Sequence, residues 1–511
     1  MKNNIRNTAI LVMIFSVLTR TISFVFKIYL SREFGAQIIG LFSMATAVFG
    51  LLTMISSSGI PLTVSRQVAE TNKLDPHKAQ GIVSSGLILS LLINSVIAVL
   101  FVVFRKPILS LLSDSRAEKL CLIVLPATFS TCIYNVIRAY FMGRKNYAIY
   151  SVTELVEEIL NVGIVLLLVS GIVFTVEKSQ ILAITFTVAD ILCFILIVVI
   201  YFCKKNKLAR PNSFGSILKS STPITLMRLF SSLAVTFTAI VLPNRLVASG
   251  ETIEFATAEF GRATGMAYPL LFAPLAITSA LSVVLLPEIA ELNVQKNYLA
   301  IANKLDKSIN ISFAISSLFF IVYFSIGEEL CLFLFNDARA GVFLSFASGM
   351  VLLLSLCQLT TTSLNSIGKE KVCFVINIIG LALLIACLYF LPKYIGILAL
   401  AVGHTVLYFT TFLLNSIVLN KLKITDFSYY KTLFVISVCS LTIAVGIKYL
   451  KTLFKSLNNT WIVIISGVVI CIVYAILILS IKSFRVYIFD MIKNCRIKLL
   501  NKNKTKQKRL K

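Results

Sequence analysis

Continuous apolar runs of about twenty residues recur along this chain, separated by short polar segments. A helix of that length crosses a hydrocarbon core about 30 Å thick, because each residue adds about 1.5 Å. Lipid offers the backbone no hydrogen-bond partner, so spanning segments must be helices or a closed barrel, and a barrel shows alternating segments of about ten residues instead. Only 14% of the residues are charged, against about 25% in soluble proteins. The sequence therefore predicts an all-α membrane protein.

The apolar runs predict about fourteen transmembrane helices. Six form an N-terminal half, residues 1–203, and six form a C-terminal half, residues 221–420. A basic cytoplasmic linker, residues 204–220, joins the halves, and two additional helices and a basic cytoplasmic tail follow at 421–482 and 483–511. The predicted spans lie near 8–30, 36–60, 81–103, 119–142, 150–174, 180–203, 221–243, 264–286, 308–328, 341–366, 372–392, 395–419, 431–450 and 460–481.

Lysine and arginine residues predict the orientation of these helices. With both termini in the cytoplasm, the cytoplasmic segments hold 31 of the 48 basic residues, and such an excess marks the cytoplasmic side. The net charge of +26 then reflects orientation and attraction to anionic lipid headgroups, which the basic tail is expected to bind. We therefore predict an N-in, C-in topology and no nucleic-acid partner.

A short motif indicates an internal duplication. Glu33-Phe34-Gly35 recurs as Glu259-Phe260-Gly261, a shift of 226 residues, and each copy is expected to open a helix that ends before a proline, Pro61 or Pro287. Gly143 and Gly368, 225 residues apart, are each expected to end a helix. Six helices per repeat is an even number, so the halves are predicted to be parallel repeats. In transporters of that kind the substrate site lies at the repeat interface, and rocking of the halves gives alternating access.

Four cations lie inside predicted spans, where an ionised side chain costs about 2.5–3.5 kcal/mol or more. Arg20 and Lys27 follow Ser16 and Ser23 on one face of the first helix, and Arg20 is about twelve residues, or ~18 Å, into it. Arg228 occupies the repeat-equivalent seventh helix, and Arg138 lies near the cytoplasmic end of the fourth. Lys27, Arg138 and Arg228 also suit snorkelling to the membrane surface. A cationic interior of this kind favours an anionic substrate.

Three acids share one face of the fifth helix, Glu154, Glu157 and Glu158. Three carboxylates close together require nearby cations or water. They are expected either to pair with Arg138 and Arg20 or to carry a coupling proton or Na⁺, with Glu157 as the foremost candidate. No nucleophile, metal-ligand cluster or phosphate-binding glycine loop accompanies them, so an enzyme is not predicted.

The cysteine and histidine content argues against metal chemistry. The eleven cysteines form no CxxC pair and the chain has two histidines, so neither a disulfide framework, a metal site nor another cofactor is expected.

Asp190 and His404 are interpreted as packing residues with satisfied hydrogen bonds, and a polar stripe on the tenth helix is expected to form hydrogen bonds with neighbouring helices. The stripe consists of Gln358, Thr361, Thr362 and Asn365.

Three segments resemble a known family. The opening motif from Thr19-Arg20 to Gly35, the segment Arg-Ala-Tyr-Phe-Met-Gly at 138–143, and Thr-Glu-Leu-Val-Glu-Glu at 153–158 are similar to the stage V sporulation protein B group. That group belongs to the multidrug/oligosaccharidyl-lipid/polysaccharide exporter superfamily, with MurJ-type lipid II flippases among its relatives. The chain departs from the family pattern at Lys27, Glu154, Glu158 and Asn161, where the family often has Arg, Gln, Gln and Arg.

The resemblance implies a flippase of the bacterial cytoplasmic membrane for a polyprenyl-pyrophosphate-linked oligosaccharide. Lipid II or a related precursor for spore cortex peptidoglycan is the expected cargo, with its pyrophosphate bound by Arg20, Lys27, Arg138 and Arg228. A cation-coupled multidrug exporter of the same superfamily is the alternative; such exporters favour acids in a pocket for cationic drugs. A membrane scaffold without transport is the third possibility.

Overall fold

The computed structural model describes residues 2–71, 76–171, 177–422, 424, 429–453 and 458–480. Every regular element in these ranges is helical, as the sequence predicts. The basic tail from 483 onward lies outside the described residues, so its proposed lipid contact stays a prediction. The helices are α1 Lys2–Ser57, α2 Gly59–Glu70, α3 Pro76–Val103, α4 Arg105–Leu109, α5 Arg116–Val124, α6 Ala127–Gly143, α7 Tyr147–Val169, α8 Lys178–Cys203, α9 Phe214–Ala248, α10 Ile253–Gly261, the π-helix Arg262–Ala267, α11 Tyr268–Leu271, α12 Leu275–Val294, α13 Tyr298–Phe335, α14 Ala338–Ala347, α15 Met350–Ser366, α16 Glu370–Phe390, α17 Pro392–Ile395, α18 Leu398–Lys421, α19 Tyr429–Leu453 and α20 Asn459–Ser480.

The number of membrane spans is lower than predicted when it is counted by length and apolarity. Within the described residues eleven helices are long and apolar enough to cross a bilayer, or twelve if α14 and α15, bent by 51°, form one span. One of the eleven, Ile14–Glu70, has 57 residues and would be about 85 Å long if it were straight. Gly35 interrupts it with φ 72° and ψ 170°. Two crossings there, the bent α14–α15 pair counted as one span, and the glutamate-containing α7 would together give fourteen spans, and that count stays a prediction.

Prolines explain where the helix boundaries differ from the predicted ones. The predicted span 264–286 is broken at residues 272–274, and Pro274 precedes α12, because proline disfavours helical geometry in the residue before it. The expectation that a helix ends before Pro287 is wrong, since Pro287 lies inside α12. Helix α1 does end before Pro61, but α2 begins at Gly59, and its first turn tolerates a residue without an N–H. Helices α6 and α15 end at Gly143 and Ser366, close to the two predicted glycines.

The chain divides into two compact units. Among the described residues, unit 1 comprises those of 2–270, 334–343 and 374–407, and unit 2 those of 271–333, 344–373 and 408–480. This division into units does not test the predicted repeat halves, which stay a prediction. Helix α9 already begins at Phe214, so residues 204–213 of the predicted linker connect α8 to α9. The backbone N–H groups of Asn212 and Ser213 donate to the Ser85 hydroxyl of α3 at 3.0 and 3.1 Å, which holds the segment against unit 1.

An ion pair joins the helices at the predicted outer end of unit 1. Asp114, which lies between α4 and α5, is 2.6 Å from the Arg116 guanidinium and accepts a hydrogen bond from Thr257 of α10 at 3.3 Å. Burial acts to raise the pKa of the Asp114 carboxyl, but the hydrogen bonds and charge of Arg116 outweigh it and hold this pKa below its usual range. The pair therefore stays charged at neutral pH.

Unit 2 is held by an apolar core and by polar contacts between its helices. Apolar side chains of α13, α19 and α20 form one buried cluster, and Lys451 lies 2.8 Å from Glu329. The predicted bonding of the tenth-helix stripe is confirmed at two positions. Thr361 of α15 accepts a hydrogen bond from Asn415 at 2.9 Å, and Gln358 donates to Ser279 at 3.4 Å.

Candidate functional site

A cavity of about 380 Å³ in unit 1 brings together two of the four predicted cations. Helices α1, α2, α6, α7 and α9 supply its lining, which includes Arg138 and Arg228. The other groups are hydroxyl, amide and apolar side chains, and the described lining contains no carboxylate. The lining residues are Thr53, Met54, Ser57, Ser58, Pro61, Leu62, Ser65, Thr131, Asn135, Arg138, Ala139, Met142, Tyr150 and Arg228.

The Arg138 guanidinium makes three contacts with residues of α7. Its Nη2 lies 2.6 Å from the Glu154 carboxylate, and its Nε donates to the Tyr150 carbonyl at 3.2 Å. Its guanidinium carbon also lies 3.9 Å from the centroid of the Tyr150 ring, a cation–π geometry. Among the three fifth-helix acids, Glu154 is the one that forms an ion pair with Arg138 in this structure. The Arg138 side chain is only 14% exposed, whereas that of Glu154 is 47% exposed.

Arg228 is bound much more loosely. It projects from α9 as an exposed side chain, and its Nη1 donates to the Ser58 carbonyl at the junction of α1 and α2, 3.2 Å away. A guanidinium carries five N–H donors, so most of its hydrogen-bonding capacity is left for a ligand. No described carboxylate forms an ion pair with it.

Arg20 and Lys27 lie on α1 and are not among the residues that line this cavity. Both are exposed, and Arg20 forms no hydrogen bond or ion pair with the described part of the chain. The same stripe meets α7 one turn further on, because Ser23 donates to the Glu158 carboxylate at 2.5 Å and Lys27 lies within electrostatic range of Glu158. The structure thus separates an Arg138–Glu154 pair from a Ser23–Lys27–Glu158 group.

Glu157 lies between these two groups and is partly buried. It is within electrostatic range of Arg138 and of Asp190 on α8. Asp190 accepts a short hydrogen bond from Thr131, and His404 is hydrogen-bonded to Tyr268 at 3.0 Å, so the predicted packing interpretation of both residues is supported. In the described residues, no three His, Cys, Asp or Glu side chains are placed to hold a metal ion.

Comparison with known proteins decides the family. Residues 5–293 match the family of polysaccharide biosynthesis proteins, more than half of the chain. The chain belongs to this family. Among curated members it is 26% identical over 357 residues to stage V sporulation protein B of Bacillus subtilis (strain 168), covering 66% of this chain and 68% of that one. It is 21% identical over 323 residues to sporulation protein YkvU of the same strain, covering 59% and 69%. The predicted resemblance is confirmed.

Solved structures show the same fold. A lipid II flippase MurJ in an inward closed conformation matches with a TM-score of 0.73 and 15% identity, over 92% of this chain and 99% of that one. An inward-facing multidrug resistance MATE family transporter matches with a TM-score of 0.64 and 15% identity, over 79% and 95%. At these identities the likeness concerns the fold. This polysaccharide biosynthesis family member is a multi-pass protein of the cell membrane.

The cavity of this family member also contains polar residues that sequence reasoning missed. Thr131 and Asn135 lie four residues apart on α6, with Arg138 three further on, so a helical stripe was readable there. Ser57 and Tyr150 gave no such signal, because their position depends on the α1–α2 junction and on the start of α7. The Ser57 hydroxyl is buried and has no hydrogen-bond partner in the described structure.

Proposed function

We propose that this protein is a flippase that moves a polyprenyl-pyrophosphate-linked oligosaccharide across the cytoplasmic membrane by alternating access. Lipid II or a related peptidoglycan precursor, used in spore cortex assembly, is the proposed cargo. The names of stage V sporulation protein B and of the lipid II flippase MurJ support this choice. The proposal concerns transport, and no catalytic step is part of it.

The observation that carries the proposal is a cavity in a membrane-embedded unit with two arginines and no carboxylate in its described lining. Arginine presents a planar fork of donors that matches phosphate oxygens, and a pyrophosphate has enough of them for two guanidinium groups. The alternative, a cation-coupled multidrug exporter, favours acids in its pocket. Glu154 does not provide one, because its carboxylate is paired with Arg138.

The remaining predicted residues have proposed roles of their own. Arg20 and Lys27 are proposed contacts for the substrate on the α1 stripe, outside the Arg138–Arg228 cavity. Glu157 is our candidate for binding a coupling Na⁺ or H⁺, because it lies within electrostatic range of a second carboxylate, that of Asp190, and two neighbouring carboxylates favour a bound cation or a shared proton. Replacement of Glu157 by Gln is then expected to abolish any dependence of transport on an imposed Na⁺ or proton gradient; a retained dependence would exclude this role.

Translocation in vesicles tests the proposed function. The full-length protein is reconstituted with a fluorescent polyprenyl-pyrophosphate oligosaccharide, and lipid that reaches the outer leaflet is quenched. Arg138→Gln and Arg228→Gln should each slow translocation by about tenfold or more, since a hydrogen-bonded charge contributes about 1.5–3 kcal/mol. Arg20→Ala is measured in the same assay and is expected to lose translocation as well.

Arg144→Gln is the matched control, because this arginine follows α6 but does not line the cavity. Efflux of a cationic dye from a sensitive strain tests the drug-exporter alternative. Dye efflux together with undiminished lipid translocation in both arginine variants would contradict the proposal. A protein that translocates neither molecule would favour the scaffold.

A further inference from the structure

A second cavity, of about 620 Å³, opens at the predicted cytoplasmic end of unit 1. It lies between α2, the first turn of α3 and the beginning of α9. Most of its polar groups are uncharged hydroxyls and one amide. The lining residues are Leu62, Thr63, Arg66, Gln67, Glu70, Thr71, Lys78, Ile82, Ser213, Ser216, Ser220 and Ile224.

The second cavity and the arginine cavity both lie along one side of α9. Ser216, Ser220 and Ile224 line the second cavity, and Arg228 lines the first. Residues four apart lie nearly above one another on a helix, so these side chains form one stripe. Leu62 of α2 lines both cavities. Ser220 and Arg228 are eight residues apart, about 12 Å along the axis, which is the scale of two linked sugar rings.

Apart from Lys78 and the Arg66–Glu70 pair, the polar side chains that line the second cavity are neutral and suit a neutral polar group. Gln67 Nε2 donates to the Ser216 hydroxyl at 2.8 Å, and no described donor uses the Gln67 amide oxygen. The Thr63 hydroxyl is buried without a hydrogen-bond partner in the described residues. Arg66 and Glu70 neutralise each other in an ion pair of 3.0 Å. Amide and hydroxyl groups of this kind pair with sugar hydroxyls and acetamido groups, which both donate and accept.

We propose that the second cavity, lined by Thr63, Gln67, Ser216 and Ser220, binds the glycan of the lipid while Arg138 and Arg228 bind its pyrophosphate. This inference rests on the proposed function and adds a place for the sugar. A glycan site of this kind makes the protein selective for glycan-bearing lipids over the bare polyprenyl pyrophosphate, because only a glycan-bearing lipid occupies both cavities.

Two synthetic probes, polyprenyl pyrophosphate and the same lipid bearing a disaccharide, test the glycan site. Both are added to the purified full-length protein. Native mass spectrometry gives the affinity ratio of the two probes. We expect the native protein to bind the disaccharide lipid about tenfold more tightly. Gln67→Leu removes an amide, and Ser220→Trp fills the cavity without removing a described hydrogen bond. Each should bring the ratio close to one while the affinity for the bare lipid is unchanged.

Thr222→Val is the matched control, since Thr222 is an exposed hydroxyl of α9 outside this cavity that bonds to the Leu218 carbonyl; its ratio should stay near tenfold. A ratio of one in the native protein, or an unchanged ratio in both cavity variants, would overturn the glycan site. Arg138→Gln separates the two proposals, because it should weaken both probes equally. If Arg138→Gln weakened the binding of neither probe, the assignment of Arg138 to the pyrophosphate would be wrong. The affinity ratio of the two probes would still test the glycan site independently.

Discussion

At the scale of single residues, Arg138 and Arg228 differ in how firmly their guanidinium groups are held. Arg138 has a carboxylate, a carbonyl and an aromatic ring around it, whereas Arg228 has one backbone carbonyl. In the proposed binding mode, Glu154 competes with a phosphate oxygen for the Arg138 guanidinium. A ligand must displace this carboxylate, and its 47% exposure gives it a route toward solvent.

Glu154→Gln should consequently strengthen anion binding. Removing the carboxylate leaves the Arg138 charge without its partner, and we expect the affinity for inorganic pyrophosphate to rise about fivefold, equivalent to about 1 kcal/mol for a partly exposed pair. Isothermal titration calorimetry of the purified protein measures this. Glu158→Gln is the control, because Glu158 accepts from Ser23 instead of Arg138. Weaker binding in Glu154→Gln would show that the pair serves to position Arg138.

At the scale of helices, the part of α1 that follows the first copy of the repeated motif lies against the second copy, at the end of α10. Gly40, in the part of α1 that follows the Gly35 break, approaches the backbone of α10 so closely that a Cβ atom there would lie 2.0 Å from the Thr257 carbonyl oxygen. A Cβ on Gly261 would lie 2.0 Å from the Ala36 carbonyl oxygen. Small residues allow such close contacts between membrane helices, and the missing side chains are what permits this crossing.

Alanine substitution at two glycines of α1 should have opposite effects. Gly40→Ala forces α1 and α10 apart and should destabilise the fold by about 1–3 kcal/mol. Gly50→Ala, with nothing within 4 Å of the added Cβ, should be neutral or stabilising by up to about 1 kcal/mol, because alanine is the better helix former. Thermal unfolding in detergent, followed by circular dichroism, compares the two. Equal melting temperatures would contradict the close crossing.

At the scale of the whole molecule, the orientation in the membrane stays a prediction from the distribution of basic residues. The predicted topology places the segment after α3 outside the cell and the segment after α8 inside it. Each segment contains an exposed position, Ser110 and Lys205.

Cysteine labelling tests this topology. In a background from which all eleven cysteines have been removed, a membrane-impermeant maleimide should label Ser110→Cys in intact cells. It should label Lys205→Cys only after permeabilisation, because the bilayer excludes the reagent from the cytoplasmic face. Ser170→Cys, after α7, is a second outward position. The reverse pattern at all three positions would invert the orientation.

Much of the secondary structure was predictable, and the exceptions have local causes. Apolar length alone placed most helices, and the break near Gly35 fell between two predicted spans. The prediction of one continuous helix over 264–286 was wrong because the apolar run continues across Pro274. Hydropathy does not reflect that proline lacks a backbone N–H. The early start of α9 was missed because residues 214–220 are polar enough to be taken for part of the linker.

The sequence by itself determined that the protein is a helical membrane protein, which family it resembles, and which ionisable groups lie within its spans. Each of these follows from local composition, spacing or motif. Only the tertiary structure decided that Arg138 and Arg228 share a cavity while Arg20 and Lys27 do not line it, and that Glu154 is the acid that pairs with Arg138. Partners of this kind come from different helices, and they meet because α2 packs against α6 and α9 and because α1 packs against α7 and α9. The helical periodicity of the sequence does not encode these contacts.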